Sequence, residues 1–274
     1  MPCGQDEVVG GVCTEVVRFM GNRRRKLEEL QHSTMAENPF LNPLIMEMNG
    51  YESLGDLADF VIGGHLSEGH ATGFGKLVDE KIVPNVFGTA KLTRKFRREN
   101  PPYDQPMFGV IDHLRPNADG SQDLLPLKAG RWSIQLGQAL NMNNGFARLI
   151  EAREAGSIEF DRIVIGVLYG REETLTDKFQ VARGIGPHEV VDIRDQVDIR
   201  AGREFWSWLN DGEPATQEWV MDGFLRGIEV AREDLGPAGE VFGAYARSYE
   251  SQLARHIDEN GVMDWHGLLR EVNG

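Results

Sequence analysis

Two short apolar runs joined by a turn set the strongest limit on what this chain can become. The first is "PMFGVIDHL" (Pro106–Leu114) and the second is "DLLPLK" (Asp123–Lys128). Between them, "RPNADGSQ" (Arg115–Gln122) carries Asp119-Gly120, a strong hairpin signal. The pattern predicts two neighbouring strands apolar enough to be buried. Each nevertheless holds an ionisable residue, Asp112 in the first and Lys128 in the second. Ionised side chains are seldom buried unless they are paired, metal-bound or used in chemistry. A salt bridge at the hairpin edge is one reading, and a reactive pair is the other.

The surrounding chain predicts an α/β core between helical flanks. Residues 5 to 35 carry apolar positions at helical spacing, among them Val8, Val12, Val16, Met20 and Leu27. Two Asn-Pro steps in "ENPFLNP" (residues 37–43) break that pattern. "YESLGDLADFVIGGHL" predicts a short helix ending at Gly63-Gly64. "GFGKLVDEKIVPNVFG" (Gly73–Gly88) predicts another, with its last turn bent by Pro84. After the hairpin, a helix is expected within Arg131–Gly156, a buried strand over Phe160–Gly170 and a further strand over Glu189–Ile199. From Arg203 to the end the chain reads as helical. The expected layout is a helical region over 1–68, a mixed-sheet core over 69–202 and a helical region over 203–274.

The chain has 274 residues, enough to bury a real interior, and no apolar run approaches membrane-spanning length. The N-terminus lacks the layout of a signal peptide, so a cytoplasmic location without membrane association is expected. Cys3 and Cys13 indicate neither a disulfide framework nor a metal cluster. The formal net charge is −14, which by itself argues against a polyanionic partner. Two basic runs oppose it: "RRRK" (Arg23–Lys26), and "KLTRKFRR" (Lys91–Arg98), with five basic residues and no acid. An acidic body with concentrated basic stretches suits a protein that meets DNA in one cleft and repels it elsewhere.

A hairpin can bring Asp112 and Lys128 together across neighbouring strands. A carboxylate there can bind Mg²⁺, which takes oxygen ligands and keeps several waters. A lysine beside it can orient or deprotonate a water, or stabilise charge on a phosphate. Those parts suffice for phosphodiester hydrolysis.

"ID" on one strand, followed after the turn by "LPLKAGRWSIQ" and a helix, resembles the PD-(D/E)XK nuclease core. More narrowly, "NPFLNPLI", "TGFGKLVDEKIVPNVFG", "LKAGRWSIQL", "LTDKFQVARGI" and "EFWSWLNDGE" resemble one branch of type II restriction endonucleases. That branch cuts interrupted palindromes built on GGNCC. The likeness covers roughly residues 30 to 225, with the segments in the family's order. It implies a restriction-endonuclease-like α/β core, site-specific cleavage of double-stranded DNA in a restriction-modification system, Mg²⁺ as cofactor, and a homodimer matching the palindrome. Asp112 takes the place of the metal-binding aspartate, and Lys128 that of the lysine that activates water.

The middle acid of the pattern falls on Pro126, which cannot ligate through its side chain. Asp123 can substitute if Pro126 marks a strand bulge. Glu80 on the preceding helix can reach the metal instead. The main-chain carbonyl of Leu127 is the third candidate and the favoured one, with Asp123 or Glu80 in support. Arg94, Lys95, Arg97 and Arg98 lead into these strands and are expected to bind phosphates. Trp206 and Trp208 are read as a buried pair before dimer anchors.

"HLSEGH" (His65–His70) lacks the spacing of a zinc helix, and "GHATGFGKL" (Gly69–Leu77) is misspaced for a nucleotide-binding loop, so neither zinc nor a nucleotide is expected. His113 should point away from Asp112 and serve packing. Two rivals stand beside the main reading: a structure-specific repair nuclease on the same core, and a catalytically inactive DNA-binding protein.

Overall fold

The computed structural model describes residues 2–30, 38–235 and 239–273. The parts of the expected N-terminal helix, of the "ENPFLNP" break and of the C-terminal helical region at residues 31–37, 236–238 and 274 lie outside them. The described chain runs α1 (Gln5–Leu30), α2 (Leu41–Asn49), α3 (Leu54–Leu77), a π turn (Val78–Ile82), α4 (Val83–Phe87), β1 (Ala90–Lys91) and α5 (Arg94–Glu99). A 3₁₀ turn (Pro106–Val110) leads into β2 (His113–Pro116), β3 (Gln122–Leu125) and β4 (Leu127–Lys128). Then come α6 (Leu136–Glu154), β5 (Ile163–Val167), α7 (Asp177–Ala182), β6 (Val197–Ala201), α8 (Arg203–Leu209), α9 (Thr216–Leu235), α10 (Gly239–Ala254) and α11 (Trp265–Asn273).

These elements group into two compact units. One comprises residues 1–15 and 75–227 and holds the sheet; the other comprises 16–74 and 228–274. In the helical unit, Leu57, Ala58, Ile62 and Leu66 of α3 pack with Tyr245, Tyr249 and Leu253 of α10. This packing carries α3 straight through Gly63-Gly64, where the sequence predicts an end. A glycine costs a helix about 1 kcal/mol, while each buried Leu or Ile returns about 2 kcal/mol, so burial wins.

In the sheet unit, β1, β2 and β3 pair antiparallel, and β3, β4 and β6 all pair parallel with β5. Leu124 stands opposite Ile163, Leu127 opposite Gly166 and Lys128 opposite Val167. This constant register makes β3 and β4 one line of chain along β5, with β6 on the other side. No residue is inserted at Pro126, so the bulge contemplated from the sequence is not there. Pro126 only forfeits the rung that its missing N–H would make, while its carbonyl accepts from Gly166 N–H at 2.9 Å.

Side chains alternate across this sheet. Leu124, Ile163, Ile165, Val167, Val197 and Ile199 face the cluster that holds Met142, Phe146, Leu149 and Ile150 of α6. On the opposite face Phe205 of α8 lies so close to Gly166 that a Cβ there would sit 2.5 Å from its ring. Only glycine permits that approach.

Three element boundaries differ from the sequence reading. The strand expected from Pro106 is β2 and begins at His113, because Pro106 opens a 3₁₀ turn and Phe108 is buried in the α6 cluster rather than in the sheet. Arg115 and Pro116 belong to that strand, and the turn is confined to 117–121, where Asn117 N–H donates to Ser121 O at 2.8 Å. The last strand begins at Val197, because Asn143 pins the preceding loop through both backbone groups of Val191.

Candidate active site at one end of the sheet

Asp112 stands just before β2 and is held on three sides. Its N–H donates to Leu125 O at 3.1 Å, and its carbonyl accepts from Leu92 N–H at 2.8 Å. Its Oδ2 accepts from Leu127 N–H at 2.7 Å. The carboxylate thus replaces a backbone rung between the β2 and β4 lines. Among the described residues, Oδ1 has no hydrogen-bond partner.

Lys128 follows Leu127 directly and is half-buried. Its backbone is fixed against β5, with Leu168 N–H donating to its carbonyl at 3.0 Å. Among the described residues, no carboxylate lies within 4 Å of its ammonium. The salt bridge that the sequence also allowed is therefore absent: Asp112 and Lys128 share one end of the sheet without pairing.

In an extended residue the N–H and C=O point to the same edge. Because Leu127 N–H points at Asp112, the Leu127 carbonyl points to that side too. A carboxylate oxygen and a peptide oxygen therefore lie on one edge. Such hard oxygen donors fit a cation like Mg²⁺, which keeps several of its waters. Among the described residues, no three His, Cys, Asp or Glu side chains converge to hold a metal. The protein's share of such a site would be one carboxylate and one carbonyl.

The other acids named from the sequence are not brought into that edge. Asp123 is opposite Arg115 in the register, and both are buried on the α8 face. Arg115 spans Asp123 Oδ2 at 3.4 Å, Asp211 Oδ1 at 2.7 Å and Trp208 O at 2.8 Å, with its guanidinium 4.6 Å from the Trp208 ring. Burial pushes the Asp123 carboxyl up, against the pull of Asn117 and Arg115. Five positions before Lys128 in an unbulged strand, Asp123 occupies the opposite face, so a role as metal ligand beside Lys128 is not supported. Glu80 is exposed on the π turn, and among the described residues it has no ion-pair partner.

The acid of that turn that reaches the sheet is its neighbour Asp79, which sequence reasoning passed over. Asp79 Oδ1 lies 2.8 Å from His113 Nε2, and Oδ2 pairs with Lys91. His113 Nδ1 lies 3.0 Å from Thr89 Oγ1. Burial pushes the Asp79 carboxyl up, but the bonds to His113 and Lys91 outweigh it and hold the carboxyl below the usual range. The ionised carboxylate accepts from His113 Nε2–H. His113 and Lys91 are opposite one another in the register, so Asp79 clamps the rung next to Asp112. Pro84 accounts for the wide turn: its ring would press on the carbonyl four residues back, and the π turn relieves that contact.

The basic segment forms α5, capped by Thr93 Oγ1, which accepts from Phe96 N–H at 3.0 Å. Arg94, Lys95 and Arg98 are exposed and Arg97 is half-buried. The helix begins two residues after Leu92, whose N–H holds Asp112. Trp206 is buried and donates its Nε1–H to Leu168 O at 3.0 Å, so it is a core residue. Trp208 is half-buried and covers Arg115.

No protein-family model matches the chain, and no curated protein matches it. Among the described residues, no helix is long and apolar enough to cross a membrane.

Proposed function

We propose that this chain is a Mg²⁺-dependent, site-specific double-stranded DNA endonuclease of the PD-(D/E)XK kind, acting as a homodimer on a GGNCC-type palindrome in a restriction-modification system. The observation that carries the reading is the unpaired placement of Asp112 and Lys128 at one sheet end, with the Leu127 carbonyl on the same edge. The six-stranded mixed sheet flanked by helices is compatible with that core. Asp112 and the Leu127 carbonyl would hold the cation. Bound there, Mg²⁺ supplies Lewis-acid polarisation of the scissile phosphate and neutralises developing charge. Lys128 orients the attacking water and favours its deprotonation. Arg94, Lys95, Arg97 and Arg98 hold flanking phosphates.

The test is digestion of a large mixed-sequence DNA with Mg²⁺ against an EDTA control. Discrete bands that vanish with EDTA are expected, and sequencing their ends gives the site. Cutting confined to junctions or mismatches, indifferent to sequence, would replace the reading with a structure-specific nuclease. One observation favours a second reading: buried Pro126 stands where the core pattern has an acid. A protein that binds specific DNA yet cuts nothing in Mg²⁺ or Mn²⁺ would be that inactive binder.

A further inference from the structure

The chain emerging from β4 makes a rigid turn at Gly130–Ser133. Ser133 N–H donates to Gly130 O at 3.0 Å, Ser133 Oγ–H donates to the same carbonyl at 2.6 Å, and Gly130 N–H donates to Ser133 Oγ at 3.2 Å. Arg131 and Trp132 occupy the two corner positions. The Arg131 guanidinium carbon lies 4.7 Å from the Trp132 ring centroid, yet Trp132 remains 74% exposed. Tyr169, just beyond β5, is 59% exposed. Its ring lies over Gly130, 2.5 Å from where a Cβ would stand. Leu168, the residue before Tyr169, donates its N–H to the Lys128 carbonyl. Two large exposed aromatic rings and a stacked cation are thus braced within a few residues of Lys128.

We infer that Trp132, braced by Arg131 and flanked by Tyr169, is a base-stacking element that engages a nucleobase of DNA next to the Asp112–Lys128 edge. This rests on the nuclease reading above and assigns that site a contact it otherwise lacks. A lone exposed aromatic needs no special reason, but here the turn holds the backbone on either side of Trp132 and the guanidinium stacks on its ring. The stacked guanidinium biases the ring toward one orientation and so lowers the ordering cost of a contact. A flat indole accepts the face of any base, and an adjacent guanidinium adds attraction to the neighbouring phosphate. An apolar ring presented this way can also wedge at a base step and unstack it.

The experiment measures binding of a fluorescein-labelled duplex carrying GGACC in Ca²⁺ across a salt series, for wild type, Trp132→Ala, Trp132→Phe and Arg98→Ala. Wild-type cleavage of the same duplex in Mg²⁺ is the reference. Trp132→Ala should weaken binding by about ten- to a hundredfold at every salt concentration, leaving the slope of log K against log[salt] unchanged. Trp132→Phe should stay within about threefold of wild type, because a ring remains. Arg98→Ala should lower the slope by about 0.9, the mark of a lost phosphate contact. Trp132 is solvent-facing, so an unchanged melting temperature is expected and separates binding from folding. Wild-type affinity in Trp132→Ala, or a shift in its sedimentation from dimer to monomer, would overturn the inference while leaving the nuclease reading intact. A wild type that neither binds nor cuts DNA would instead remove the nuclease reading, and this inference with it.

Discussion

Leu127 N–H donates to Asp112 Oδ2 at 2.7 Å, so the carboxylate of one strand line is tied to the backbone of the next, one residue before Lys128. The bond fixes the carboxylate's position, and Oδ1 is left to meet a ligand. Under the proposed function, structure and chemistry would use different oxygens of the same group, and substitution can separate them.

Asp112→Asn keeps an oxygen that accepts from Leu127 N–H. Stability should change by less than about 1 kcal/mol, whereas Asp112→Ala should lose about 1–2 kcal/mol. Both should abolish Mg²⁺-dependent cleavage. Urea unfolding read beside a cleavage assay checks this; an active Asp112→Asn would remove Asp112 from the metal.

Lys128→Ala should reduce the cleavage rate by about 10²–10⁴ while DNA affinity in Ca²⁺ stays within a few-fold. Lys128 has no carboxylate partner among the described residues, so its loss strands no buried charge. Single-turnover cleavage and a filter-binding titration give the two numbers.

Asp123→Asn and Glu80→Gln should each cut DNA within about threefold of wild type, because neither carboxylate joins the Asp112 edge. Asp123→Asn should shift stability by no more than about 1 kcal/mol, since Arg115 keeps Asp211 and the Trp208 carbonyl. A loss of Mg²⁺ affinity in either variant would bring that acid back into the site.

Asp79→Asn should lose about 2 kcal/mol at neutral pH, the scale of a charged hydrogen-bonded pair. The Asp79 carboxyl is held below the usual range, so its contribution is fully present above the unfolded carboxylate pKa. It fades as pH falls through the lower folded value. The gap between wild type and variant should therefore still be present at about pH 5 and close as pH falls below about pH 4. Unfolding curves at a series of pH values from about 5 down to about 2 test this, and a gap that persists unchanged to the acid end would contradict the assignment.

The hairpin, its two charges and the sheet's α/β setting were legible because each rests on local chemistry. The Asp119-Gly120 turn and the apolar run at Ile163–Val167 announce themselves within a few residues. What escaped depended on distance in the chain. Gly63-Gly64 is a local stop signal overruled by α10, nearly two hundred residues away in sequence. Asp79 looked like any helix acid until the π turn rotated it toward His113 and Lys91. The face on which Asp123 lies depended on whether Pro126 bulged the strand, and only the register along β5 shows that it does not. Trp132 was read as part of a motif, since its exposure cannot be seen in sequence.

The placement of α5 has an electrical consequence. Arg94, Lys95 and Arg98 stand exposed within a few residues of the backbone that grips Asp112, on a chain whose formal charge is −14. Positive charge set beside that backbone raises the local potential around the Asp112 edge, whatever the sign of the chain as a whole. If the proposed function holds, the local field would draw a phosphate backbone toward that edge before any base is touched, and added salt would weaken the pull.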